Sequence, residues 1–269
     1  MSFTGLNSIK GSLNVVTGAG SGLGRATLRR LIKQGCGPIL GIDRKFEEDY
    51  EEKLDLSAEE KSKLHLKTHD TFDEVHSEAS LSEFASKFGT IDNLINVAGV
   101  ALSFLLVSKK LSLYDLSHIN NLIRFNTVGT FNMIRLASKH MINYSLENPS
   151  MSRTRCIINA SCISTHTPSL GQTGYAGSKA SLDSMTLCIA RELSPFSIRC
   201  NTIDVGYFDT KLLRSSDEKV RYHLEQSVAL CPRRLGDPDE FAHLVQSIIE
   251  NQMLNGSCIK LDAGARDFL

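Results

Sequence analysis

The chain has no tryptophan, only six prolines, and no net charge: thirty lysines and arginines balance thirty aspartates and glutamates over 269 residues. That balance removes the sequence-independent attraction that draws basic proteins to nucleic acid or to anionic membrane surfaces. No apolar run reaches the roughly 18 residues that a bilayer crossing requires, so no membrane span is expected. No Cys-x-x-Cys pair occurs among the seven cysteines, at 36, 156, 162, 188, 200, 231 and 258. Their odd number and apolar settings ("RCIINA", "LCIA", "IRCNTI") point to a reducing compartment and to thiols used mainly as small apolar side chains. The eight histidines show no ligand spacing, so no metal site is expected. The opening "MSFTGLNSIKGSLN" has the pattern of neither a secretory signal nor an Arg-rich transit peptide.

What is present is an alternation. Short β-branched runs, "LNVVT" (13–17), "PILGI" (38–42), "LHLKT" (64–68), "DNLINVAG" (92–99), "RCIINA" (155–160), "SIRCNTI" (197–203) and "CIKLDAG" (258–264), read as strands. Longer stretches at 24–35, 81–88, 114–143, 175–193, 217–228 and 238–251 read as helices. Strands alternating with helices argue for a parallel sheet covered on both faces. No repeat or Pro-rich linker interrupts the pattern, so one domain over 1–269 is expected. The acidic stretch 47–60 ("EEDYEEKLDLSAEE") reads as a solvated surface segment. The helix from Tyr175 is apolar on more than one face, which predicts a cover from the sheet and a second from a neighbouring subunit.

"TGAGSGLG" (17–24) follows the first strand and opens the first helix. Glycines there allow a tight turn and the approach of a pyrophosphate to bare backbone, at a helix end that offers N–H groups and partial positive charge. Asp43 stands 19 residues after Gly24, at the end of the second strand. That spacing suits a carboxylate accepting from a ribose, and its charge would repel a 2′-phosphate, so NAD is favoured over NADP. Arg44 pulls the other way, since an inward guanidinium could hold that phosphate. The expected architecture is therefore α/β, a Rossmann-like doubly wound parallel sheet.

"YAGSK" (175–179) brings the reaction chemistry. Oxidising a secondary alcohol needs a base for the hydroxyl proton while hydride leaves. A phenol is a poor base at neutral pH. Lys179 lies at i+4 from Tyr175, on the same helix face, where an ammonium favours phenolate. Together with Thr17-Gly18-x-x-x-Gly22-x-Gly24 and "NVAG" (96–99), this motif resembles the short-chain dehydrogenase/reductase family over nearly the whole chain. Within the family, "FNTVGTFNMIRLAS" (125–138), "SMTLCIARELSPFSIR" (184–199) and "RLGDPDEFAHLVQSIIENQMLNG" (234–256) resemble members that oxidise 3-hydroxyacyl-CoA thioesters and hydroxysteroids in mitochondrial fatty acid metabolism.

The resemblance implies a set of roles. Tyr175 and Lys179 are the catalytic pair, with Asn126 holding a water in a proton relay to Lys179. Gly18, Ser21, Gly22, Leu23, Gly24, Asp43, Asp70, Thr71 and Val97 contact NAD, as do Tyr175 and Lys179. Phe208 and Thr210 close over its carboxamide, and Gln172 lies on the substrate side. It also implies a homotetramer, a mitochondrial location (otherwise cytoplasmic), and an acyl-CoA or steroid substrate.

Two positions depart from the pattern. The family's substrate-orienting Ser stands thirteen residues before the Tyr, where this chain has Cys162. Ser161 is one residue early, and on an extended segment that turns its side chain to the other face unless the chain bulges. A thiol is the weaker donor and acceptor, so slowed rather than abolished turnover is expected. The family's Pro-Gly reads "DVG" here, with Val205 in the Pro position, which predicts a freed N–H and a looser loop. Lys109 and Lys110, in the segment 100–116, read either as a solvated basic turn or as partners of a CoA phosphate. Two classes stay open: an NAD-dependent dehydrogenase, and a weakly active cofactor-binding scaffold with partners in mitochondrial tRNA processing, for which the family has precedent.

Overall fold

The computed structural model describes residues 7–148, 153–214, 218–224 and 230–266. Seven strands, β1 (Asn14–Thr17), β2 (Ile39–Asp43), β3 (Leu64–Thr68), β4 (Asn93–Asn96), β5 (Arg155–Cys162), β6 (Ile198–Val205) and β7 (Cys258–Leu261), form one sheet in the order β3-β2-β1-β4-β5-β6-β7. Every pairing is parallel. The α/β sheet expected from the alternating pattern is the one observed.

Side-chain alternation along the central strands builds two cores. Val16, Ile95, Ile158 and Ile203 point to one face, under α1 (Gly22–Lys33) with its Leu28, Leu31 and Ile32. Val15, Leu94 and Ile157 point to the other. The acidic stretch departs from the expectation of plain solvation. It folds as two short helices, α2 (Tyr50–Lys53) and α3 (Ala58–Lys61), pinned by buried Tyr50 and Leu54. The Tyr50 hydroxyl donates to the Ala19 carbonyl at 2.7 Å, so this segment braces the glycine-rich turn.

On the second face lie α4 (Glu74–Phe88), α6 (Gly129–Glu147) and α7 (Thr173–Leu193). Helix α4 starts at an Asp73 cap, two turns earlier than its apolar pattern, because its first buried positions are Ser77 and Ser80. The single helix predicted over 114–143 is three pieces. They are α5 (Leu116–Leu122), a π-helical turn (Ile123–Val128) and α6. After β6 come α8 (Lys211–Arg214) and α9 (Glu218–His223), and then α10 (Pro238–Glu250), which packs beside α1 through Phe241, Val245, Ile248 and Ile249. Part of the predicted helix 217–228, residues 217 and 225–228, lies outside the described residues.

Of the cysteines, 36, 156 and 200 are buried as the apolar reading expects, but Cys188, Cys231 and Cys258 are exposed. Lys109 and Lys110 are exposed near a turn beneath the Val107–Leu113 bridge.

Candidate active site

The strand order reverses between β1 and β4, and a cleft of about 160 Å³ opens at the carboxyl ends of the strands there. That is where doubly wound sheets place ligands. Gly18, Ser21, Asp43, Asp70 and Thr71 line it, as predicted from the chain, together with His69, Ala98, Gly99, Val100 and Phe125. Gly18 has φ +68, and a side chain there would strike the Ala98 nitrogen at 2.6 Å. A Cβ on Gly24 would lie 2.1 Å from the Gly18 carbonyl, so the helix can start this close to the strand only with glycine. The Ser21 hydroxyl donates to the Gly18 carbonyl at 2.7 Å. Asp43 Oδ2 accepts from the Gly20 N–H at 2.9 Å. Gly22 lies under Thr210, whose methyl would meet a Cβ there at 2.9 Å.

The remaining predicted cofactor residues behave less uniformly. Leu23 and Val97 pack half-buried against the first core. Thr71 is held by its carbonyl, which accepts from Asn132 Nδ2 at 2.7 Å. Burial raises the Asp70 carboxyl, while Arg44 and Arg124 pull it back. Arg44 lies 3.9 Å from Asp70 and 4.9 Å over the Phe125 ring. Phe208 turns its ring into the core, 2.7–2.8 Å from where a Cβ on Gly236 would be. Gln172 stands just before α7, where its Oε1 accepts from the Ser169 N–H at 3.0 Å.

Strand β5 runs without a bulge through Ser161 and Cys162, paired with Asp204 and Val205. Ser161 is buried, and its hydroxyl donates to the Lys179 carbonyl at 3.3 Å. Cys162 is the residue that meets Tyr175: its sulfur acts directly on the phenol. The same sulfur accepts from the Ser164 N–H at 3.4 Å. Val205 is a correction. It is the last rung of β6 and is buried in the first core, so the loop is not loosened at that point.

Burial first, then Cys162 and Tyr207, hold the Tyr175 phenol well above its ordinary 10. The lowering expected from Lys179 is not seen. The Lys179 ammonium is buried and donates to the Ala160 carbonyl at 2.8 Å. Burial pushes it from 10.5 down to about 8, against the opposing pull of Cys162 and Asp183. A lysine lowered in the folded state binds fewer protons there than when unfolded. Stability from this group therefore rises with pH between about 8 and 10.5. From pH 7 to 9.5, wild type should gain about 2 kcal/mol on Lys179→Met in urea titrations. No change in their difference would show that Lys179 stays charged in the fold.

Asn126 sits within the π-helical turn, fully buried. Its Oδ1 accepts from the Val100 N–H at 2.8 Å, and its Nδ2 donates to the Val100 carbonyl and to Ser178 Oγ, each at 2.9 Å. The wider turn presents this side chain to the loop after β4, where it pairs with the Val100 backbone as a neighbouring strand would. Gly99 separates Asn126 from Lys179: a Cβ there would stand 3.1 Å from Asn126 Oδ1 and 3.1 Å from Lys179 Nζ. Gly99 and Phe125 lie within "NVAG" and "FNTVG" and Val100 directly follows the first, yet none of the three is assigned a role from the sequence; Tyr207, which acts on Tyr175, carries no motif.

The family model for short chain dehydrogenases matches residues 13–221. The chain belongs to this family. A 3-hydroxyacyl-CoA dehydrogenase type-2 of Bos taurus is 38% identical over 262 residues, covering 96% of this chain and 97% of the relative. The protein of that name from Drosophila melanogaster is 39% identical over 260 residues, covering 96% and 98%. The ipsdienol dehydrogenase of Ips pini is 30% identical over 268 residues, covering 96% and 98%. A solved short-chain dehydrogenase/reductase of Serratia marcescens superposes with a TM-score of 0.80 at 23% identity, covering 96% of this chain and 99% of its own, a likeness of fold. This short-chain dehydrogenase is thus an oxidoreductase, in a family whose members are typically nicotinamide-dependent. Among the described residues, no helix is long and apolar enough to cross a membrane.

Proposed function

We propose that this short-chain dehydrogenase oxidises a secondary alcohol with NAD, the alcohol being carried on an acyl-CoA thioester or a steroid. The observation that carries the reading is the Tyr175–Cys162 contact, with Lys179 and Asn126 flanking Gly99, beside the cleft between β1 and β4.

The cleft fits a dinucleotide. Its floor is the glycine turn, bare of side chains where a Cβ would strike backbone, and Asp43 stands at its rim. Gly18 to Gly24 with Ser21 and Leu23 would hold the pyrophosphate, Asp43 the ribose, Asp70 and Thr71 the adenine end, and Val97 and Thr210 the nicotinamide end. When bound, the nicotinamide accepts the hydride. Tyr175 takes the hydroxyl proton, and Cys162 orients the substrate oxygen. Lys179 and Asn126 pass the proton outward past Gly99. Because burial raises the phenol, ionising it calls for positive charge brought in beside it. Desolvation of Lys179 leaves its ammonium ready to leave the Ala160 carbonyl for a ribose hydroxyl.

Specificity for NAD rests on Asp43, while Arg44 is engaged by Asp70 and Phe125. Replacing Asp43 by Ala removes a charge-assisted acceptor. The KM for NAD should rise about 10- to 100-fold, with a smaller loss or a gain for NADP. Initial rates with both dinucleotides check this, and an unchanged NAD to NADP ratio would refute the assignment. The reading as a whole is tested by formation of reduced nicotinamide from 3-hydroxybutyryl-CoA and from a hydroxysteroid. Finding no affinity for NAD or NADP would end it.

A homotetramer and a mitochondrial location belong to the same proposal. Exposed Val128 at the end of the π-helical turn, Phe131 on α6 and Leu187 on α7 supply apolar surface for a subunit contact. One observation, the thiol at the Ser position, favours a second reading, a scaffold subunit of a tRNA-processing assembly with little turnover. Undetectable turnover together with capture of a tRNA methyltransferase would support it.

A further inference from the structure

One group of side chains beside the reaction centre has no part in that chemistry. Asp204, on β6, has no exposed surface, and its Oδ1 has no hydrogen-bond partner. Asp183, on α7, lies one helical turn beyond Lys179, and both of its carboxylate oxygens are buried without a partner. From the loop after β5, His166 brings Nε2 to 3.0 Å from Asp204 Oδ2. One ligand atom from each of the three lies within 4.8 Å of the others. Two carboxylates facing each other out of water are costly unless a proton or a cation lies between them. The nearest buried ammonium, Lys179, is turned to the Ala160 carbonyl.

We infer that His166, Asp183 and Asp204 bind one divalent cation of the zinc class. An imidazole with two carboxylates is a three-ligand set that leaves a position open, and the nitrogen selects against calcium and magnesium, which take oxygen. With metal–ligand bonds of about 2.0–2.2 Å at near-tetrahedral angles, ligand atoms stand about 3.3–3.6 Å apart, so the widest-spaced of the three must draw in by roughly 1 Å, which the exposed His166 side chain allows. His166 is 42% exposed and gives the ion a way in from solvent, while Asp204 at 0% closes the site from beneath. Each ligand comes from a different element, so the cation would tie the loop after β5 to α7 and to β6. No sequence spacing reveals such a site, because the ligands meet only through the sheet; this is why the histidine pattern predicted none.

The test uses the full chain, freed of metal with a chelator and then given Zn²⁺ or Mg²⁺. Calorimetry should find about one equivalent of Zn²⁺. A hundredfold excess over Kd should raise the melting temperature by roughly 5–10 °C, with no such rise from Mg²⁺. His166→Phe and Asp204→Ala should each abolish the shift; His166→Phe, at a partly exposed site, serves alone if the buried change prevents folding. Co²⁺ should give a visible ligand-field spectrum without a thiolate charge-transfer band, which separates this site from exposed Cys188, Cys231 and Cys258. A silent calorimetric trace would mean that the carboxyl pair shares a proton instead, and would overturn the proposal. Equal Zn²⁺ binding by His166→Phe, a thiolate band, or equal stabilisation by Mg²⁺ would do the same. None of these readouts depends on turnover, so the outcome is independent of the proposed dehydrogenase activity.

Discussion

Replacing Tyr175 by Phe should lower turnover about 10²- to 10⁴-fold, the usual contribution of a positioned general base, while NAD affinity changes only a few-fold. The ring stays, so the half-buried packing beside Cys162 and Tyr207 survives; only the phenolic oxygen and its interaction with the Cys162 sulfur are lost. Nothing in the glycine turn touches that oxygen, which is why binding and turnover should separate. Single-turnover formation of reduced nicotinamide, paired with a fluorescence titration of NAD, reads the two effects independently. A variant as fast as wild type would mean that another group takes the proton.

The second large effect should run the other way. Cys162→Ser should speed the reaction about 10- to 100-fold. A well-placed oxyanion donor is worth roughly 10²–10³ in turnover, and a thiol retains part of that. The serine hydroxyl would occupy the position that faces Tyr175, and would also accept from the Ser164 N–H, where sulfur now does so at 3.4 Å. Ser161→Ala is the control. Its hydroxyl is held by the Lys179 carbonyl at 3.3 Å, so its loss should alter turnover by less than about threefold. If Cys162→Ser is no faster while Ser161→Ala is crippled, the substrate meets residue 161 and the assignment of the two side chains must be exchanged.

Much of this was legible in the chain because the signals were local. Runs such as "NVVT" and "RCIINA" are β-branched and bounded by turns, and every strand read from them is present. The glycine turn and Asp43 fall at a cleft because strand, turn and helix follow one another directly. The illegible parts depend on partners distant in sequence. "LIRFNTV" is compatible with an ordinary helix, and only its packing against Val100 shows a π turn. Lys179 was expected to act on Tyr175 from spacing alone, but burial and the Ala160 carbonyl, nineteen residues away, set its state. Phe208 and Val205 matched family positions by alignment, yet core packing decided where their side chains went. Cys162 was identifiable as the departure from the family. That it, rather than Ser161, meets the phenol required the unbulged course of β5.

The π turn from Ile123 to Val128 has a consequence for length variation in this chain. It holds one residue more than regular winding would accommodate at that point. Deleting a single residue there would let the segment close into an uninterrupted α-helix, with the stretches on either side still in phase. Met133, Ala137 and Met141 would keep to the sheet, but the bulge that carries Asn126 would be gone, and the loop at Val100 would lose its clasp. A shortened protein could thus be more regular in its helix and still be unable to assemble the floor beneath its own reaction centre.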